Sequence, residues 1–99
     1  MTKMWRHGDV LVRSIKEIPS EATKRQGSIL ARGEATGHAH RIQGKCELFE
    51  SKGTLYLQIL DDEVELVHEE HKTIVLPKGK YRVWQQREYS PTEIRRVMD

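Results

Sequence analysis

Imidazole is the side chain that does the most varied chemistry near neutrality, and this chain gathers four of its five histidines between positions 38 and 71, as His38-Ala39-His40 and His68-Glu69-Glu70-His71. With an ordinary pKa near 6.5, a histidine accepts a proton, donates one or ligates a metal at physiological pH. The apolar spacing around both groups reads as strand. Side chains alternate across a strand, so His38 and His40 project from the same face. A lone His-x-His arises easily by chance, so the weight rests on the cluster rather than on any one ring.

In Glu63-Val64-Glu65-Leu66-Val67-His68, alternation puts His68 on the face of Val64 and Leu66, at the end of a buried stripe, with Glu63 and Glu65 on the other face. A satisfied rim histidine is the plain alternative to a site role there. His71 points oppositely to His68 in a straight strand. Both join one site only if Glu69-Glu70 turn or bulge.

Two chemistries suit such a cluster. The first is metal ligation, with His38, His40 and either His68 or His71 as ligands, since a His-x-His pair and a third histidine from a neighbouring strand suffice for zinc, iron or manganese. Cupin-like proteins use such an arrangement, and Gly33, His38, His40, Glu47 and Pro77-Lys78-Gly79 parallel their two motifs. Glu47 nevertheless lies later than that pattern places it, and no histidine follows Gly79.

The second chemistry needs no metal. One imidazole takes the proton of a 2′-hydroxyl in an RNA-type phosphodiester and another protonates the leaving oxygen, while cations stabilise the charge that develops. His38, His40, His68 and His71 are the candidate acids and bases. Arg41, Lys72, Gln85, Arg87 and Tyr89 are the candidate substrate contacts. Tyr81, Val83, Gln85, Arg87 and Tyr89 share one strand face that grades from apolar to polar, as a pocket wall or an ordinary edge strand does.

The elements that must position these residues are short strands punctuated by glycine, at about 9–16, 28–34, 38–43, 46–50, 54–60, 63–68, 73–76 and 80–89. This spacing predicts an all-β fold, a small closed or partly open barrel. Asp61-Asp62 reads as a tight connection between two strands, and the polar stretch from Lys16 to Gly27 reads as the longest loop. Ser90-Pro91-Thr92-Glu93 has the order of a helix N-terminus and predicts a short C-terminal helix.

A length of 99 residues allows one domain, residues 1–99, whose core is marginal alone and gains from dimerisation. Seventeen cations against fifteen anions give only a slight bias towards an anionic partner. One cysteine permits no internal disulfide, and Met1 to His7 opens no signal-like apolar run, so a soluble cytoplasmic protein is expected. No stretch is apolar enough for a membrane-spanning helix.

Gly8-Asp9-Val10-Leu11, Gly33-Glu34-Ala35-Thr36-Gly37-His38-Ala39-His40, His68-Glu69-Glu70-His71 and Leu76-Pro77-Lys78-Gly79-Lys80-Tyr81-Arg82-Val83 with Gln86-Arg87-Glu88-Tyr89 together resemble the small β-barrel ring nucleases, bacterial and phage-encoded, associated with type III CRISPR immunity. The resemblance spans almost the whole chain. It implies a homodimer that binds cyclic oligoadenylate and opens it to linear products without a cofactor, and it implies neither membrane nor double-stranded DNA as a partner. A non-enzymatic binding module is the remaining class, because a small barrel by itself says nothing about catalysis.

Overall fold

Branched and aromatic side chains at alternate positions favour extended chain, and in the computed structural model they form eight strands. These are β1 (Met4–His7), β2 (Val10–Ile15), β3 (Thr23–Arg25), β4 (Ile29–Arg32), β5 (Ala39–Gln43), β6 (Cys46–Ser51), β7 (Thr54–Val67) and β8 (Ile74–Gln85). The structure describes residues 3–32 and 37–86. The expected C-terminal helix, and with it Arg87 and Tyr89, lies outside the described residues.

All pairings are antiparallel, in the order β1-β2-β8-β7-β5-β4, with β6 pairing both β7 and β3. The sheet curls into a partly open barrel. Alternate residues of the long strands, such as Leu57, Ile59, Val64 and Leu66 of β7 and Leu76, Tyr81 and Val83 of β8, meet Val10, Val12, Leu30, Ile42 and Leu48 in a single core. Each fully buried aliphatic side chain there stabilises the fold by about 1.5–3 kcal/mol. The Tyr81 hydroxyl donates to the Pro77 carbonyl at 2.6 Å, which settles the polar end of the largest core side chain.

Three expectations are corrected. Asp61-Asp62 is no tight connection, because β7 runs straight through it. The register with β8 jumps from Ile59↔Gly79 to Glu63↔Pro77, so three residues of β7 face Lys78 alone in a bulge. The bulge is stitched to the turn before β6, where the Lys45 amide donates to Asp61 Oδ2 at 2.9 Å and the Leu60 amide donates to the Lys45 carbonyl at 3.0 Å. Pro77, which has no amide hydrogen to give a ladder, sits beside this irregularity.

The second correction is that β8 is no edge strand, since it lies between β2 and β7. Third, the segments before Val10 and between Lys16 and Gly27 are not free of strand. They hold β1, paired to β2, and the exposed β3, paired to β6. Neither shows apolar alternation, and each is fixed by its neighbour's backbone. No helix among the described residues is long and apolar enough to cross a membrane.

Two turn glycines separate backbone strain from crowding. Gly53 has φ 78° with open space beside it, whereas Gly44 has φ 134° and a Cβ there would lie 2.5 Å from Val64 Cγ1. Gly53→Ala is expected to cost about 1 kcal/mol and Gly44→Ala about 3 kcal/mol of unfolding free energy. Denaturant melts of the two variants check this, and equal losses would contradict the tight packing of the bulge against the turn.

Candidate metal centre

The sheet register brings the histidines together. Arg41 faces Val67 across β5 and β7, so His40 and His68 occupy the next rung, one on the strand and one just beyond its end. His7 closes β1 opposite Val10, and Gly8-Asp9 turn the chain into β2 beside it. Glu69 to His71 bend, meeting the condition set by their spacing, and the rings of His68 and His71 lie 4.6 Å apart between centroids. The His71 ring lies directly against Gly8, where φ is 63° and a Cβ would stand 2.6 Å from His71 Nε2. A side chain there would strain the backbone and push the His71 ring aside.

The protons in this cluster can be located by elimination. His7 Nε2 lies 2.9 Å from the Lys72 carbonyl oxygen, which only accepts, so Nε2–H donates. A neutral His7 then carries its lone pair on Nδ1. His40 Nδ1 lies 2.9 Å from that atom and must donate to it. The lone pair of His40 is therefore on Nε2, which faces Asp9 Oδ1 at 3.4 Å, while Asp9 Oδ2 accepts from Gln85 Nε2 at 2.6 Å. Two electron-pair-bearing atoms thus face one another across a gap in which a proton or a cation would be held.

A proton is disfavoured at neutral pH. Burial, with His68 and His7 close by, pushes the His40 pKa down to about 4 even though Asp9 opposes the shift. Burial also lowers the His7 pKa, against the opposing hydrogen bond to Lys72, with His71 and His68 adding to the fall. Both rings are neutral at pH 7.

Two donor groups result. His40, His68 and His71 each offer a ligand atom within 4.8 Å of the others, and so do His38, His68 and Glu69. The rings of His40 and His68 are 4.3 Å apart, those of His40 and His71 5.5 Å and stacked, and those of His38 and His68 5.7 Å. His38 thus reaches the cluster through His68, on the exposed side.

Of the expected substrate contacts, Arg41 and Gln85 are both engaged with carboxylates. Arg41 pairs with Glu69 at 3.2 Å, and the Ala39 amide donates to the same carboxylate at 3.0 Å. The backbone donors, Ala39 foremost, together with Arg41 and His38 hold Glu69 below the usual carboxylate range. Lys72 contributes its carbonyl, Gln85 orients Asp9, and Arg87 and Tyr89 are outside the described residues. His7 and Asp9 were missed by the sequence reading. The available signal was His7-Gly8-Asp9 itself, a histidine and a carboxylate flanking a turn glycine.

Because the folded-state pKa of His40 lies below its unfolded value, the unfolded chain binds the extra proton. Its contribution to stability is complete above pH 6.5 and is lost as pH falls from there towards about 4. The metal-free protein should lose on the order of 3 kcal/mol through His40 over that window, and His40→Gln should flatten the profile. Thermal melts from pH 7 to pH 4 read this out; parallel profiles for the two proteins would contradict a neutral buried His40.

No curated protein and no solved structure matches the chain. A family model does match, over residues 6–86, a span that takes in all five histidines and Asp9. The chain belongs to the family described as a domain of unknown function, DUF8820.

Proposed function

We propose that the protein is a metal-dependent enzyme of hydrolytic type, with His40, His68 and His71 holding a first-row divalent cation. The observation that carries this reading is the buried His40, with Nε2 facing Asp9 Oδ1 at 3.4 Å and a ring nitrogen grouped with nitrogens of His68 and His71 within 4.8 Å. Three imidazole ligands suit zinc best among the common cations, with open positions left for substrate or water. A cation of this class supplies Lewis acidity.

The chain's own groups do the rest. His7, anchored on the Lys72 carbonyl, holds the His40 ring in the tautomer that presents Nε2. Asp9, held by Gln85, stands where a carboxylate can take a proton from an attacking water. The carboxylates of Asp9 and Glu69, with Glu70 Oε1 3.7 Å from His38 Nδ1, make the surroundings better suited to a cation than to a phosphate. To ligate through Nε2, His68 must shift its proton to Nδ1 and with it give up the hydrogen bond from the Glu70 amide.

That same bond favours a second reading. The Glu70 amide donates to His68 Nδ1 at 2.9 Å, so a neutral His68 bears its proton on Nε2, beside a His40 whose Nε2 is bare. A bare nitrogen thus stands beside an N–H donor. In a metal-free ring nuclease, His40 would take the 2′-hydroxyl proton, the 2′-oxygen would attack phosphorus, and His68, entering the step as imidazolium, would protonate the departing 5′-oxygen, leaving a linear product with a 2′,3′-cyclic phosphate. The likeness to ring nucleases supports cyclic oligoadenylate as the substrate and a homodimer as the active form.

One experiment separates the two. The chelator-treated protein is assayed for zinc uptake by equilibrium dialysis and for cleavage of cyclic tetra- and hexa-adenylate with chelator present. The metal reading expects about one zinc per chain, roughly 10–100-fold weaker binding in His7→Ala, and intact rings. Linear oligoadenylates formed in chelator, with no zinc retained, would overturn it in favour of the second.

A further inference from the structure

His68 belongs to both donor groups, and the two groups differ in depth. His40, in the inner group, has a side chain only 2% exposed, whereas His38 and Glu69 of the outer group are 25% and 35% exposed. Both outer ligands are already positioned. Glu69 is clamped by the Ala39 amide and Arg41, and His38 lies next to Ala39, the residue to which Glu69 is tied. Glu69 Oε1 accepts from the Ala39 amide and Oε2 pairs with Arg41, and each oxygen retains a lone pair for a cation. The outer set of two imidazoles and a carboxylate is itself a recognised donor set for zinc and iron.

We infer that His38, Glu69 and His68 form a second, outer station for the same cation, and that one cation occupies one station at a time. The inference rests on the metal reading given above. Its physical basis is lone-pair counting. A neutral imidazole has one nitrogen lone pair and one N–H, so His68 serves the inner ligands or the outer ones and never both together. The backbone amide of Glu70, donating to His68 Nδ1 at 2.9 Å, uses that one lone pair in the metal-free ring and must give it up to whichever station takes the cation. The inner station, with a third nitrogen and a buried member, is the tighter of the two. The outer one lies nearer to solvent and is the natural position for a cation arriving or leaving.

The test uses the metal-free full-length chain titrated with cobalt(II), read by visible absorption and by equilibrium dialysis. Wild type should bind one equivalent. His38→Ala should bind one equivalent with an unchanged spectrum, since the inner station is intact. His40→Ala and His71→Ala should each still bind one equivalent, roughly tenfold or more weakly, with bands altered by a carboxylate oxygen in place of a nitrogen. His38→Ala combined with His71→Ala should bind none. His71 is exposed, so its replacement keeps the test valid if His40→Ala fails to fold, with circular dichroism as the control.

Two equivalents in wild type would overturn the exclusive sharing of His68. Loss of all binding in folded His71→Ala would overturn the outer station while leaving the metal reading in place. Absence of cobalt from wild type would remove both.

Discussion

The hydrogen bond between His7 and His40, anchored on the Lys72 carbonyl, is the interaction on which the rest of the site depends. It joins three segments distant in sequence: the end of β1, the start of β5 and the bend between β7 and β8. It also sets the chemistry, because a carbonyl at one end of the chain of bonds leaves only one arrangement of protons for two neutral rings. Any other arrangement of two neutral rings sets a lone pair against the Lys72 carbonyl, or two lone pairs or two N–H groups against each other between the rings, so the cluster is held to this one.

The fold serves this constraint through one long hairpin. β7 and β8 are long enough to curl across the barrel, and the bulge at residues 60–62 gives them the bend. One end of β8 then lies beside β2, where Gln85 meets Asp9, while the loop at the other end brings Lys72 and His71 to His7 and Gly8. A straight pair of strands would leave those ends far apart. The polar composition follows from the same architecture, since a small open barrel buries one face of each strand and leaves the other wet.

Much of this was legible in the sequence because it is local. Alternation revealed β2 and the faces of β7, and glycine spacing gave the all-β class. The pairing of His68 and His71 was reducible to a single condition at Glu69-Glu70. What was hidden is what depends on distant partners. β1 and β3 have no apolar period of their own, Asp61-Asp62 looks the same in a turn as in a bulge, and His7 stands 33 residues from the ring it orients. Arg41 read as a free cation beside a histidine, and only its partner Glu69, from another segment, shows that its charge is engaged.

A buried, pre-oriented imidazole whose bare nitrogen faces a carboxylate is a place where a positive charge is favoured. The metal reading and the two-station arrangement both follow from where the protons are. Nitrogen-15 NMR of the histidine rings in the metal-free protein at pH 7 tests that placement most directly. The account predicts His7 protonated at Nε2 and His40 at Nδ1, with His40 Nε2 showing the shift of a bare nitrogen that moves when zinc is added. A His40 protonated at Nε2, or at both nitrogens, would contradict it.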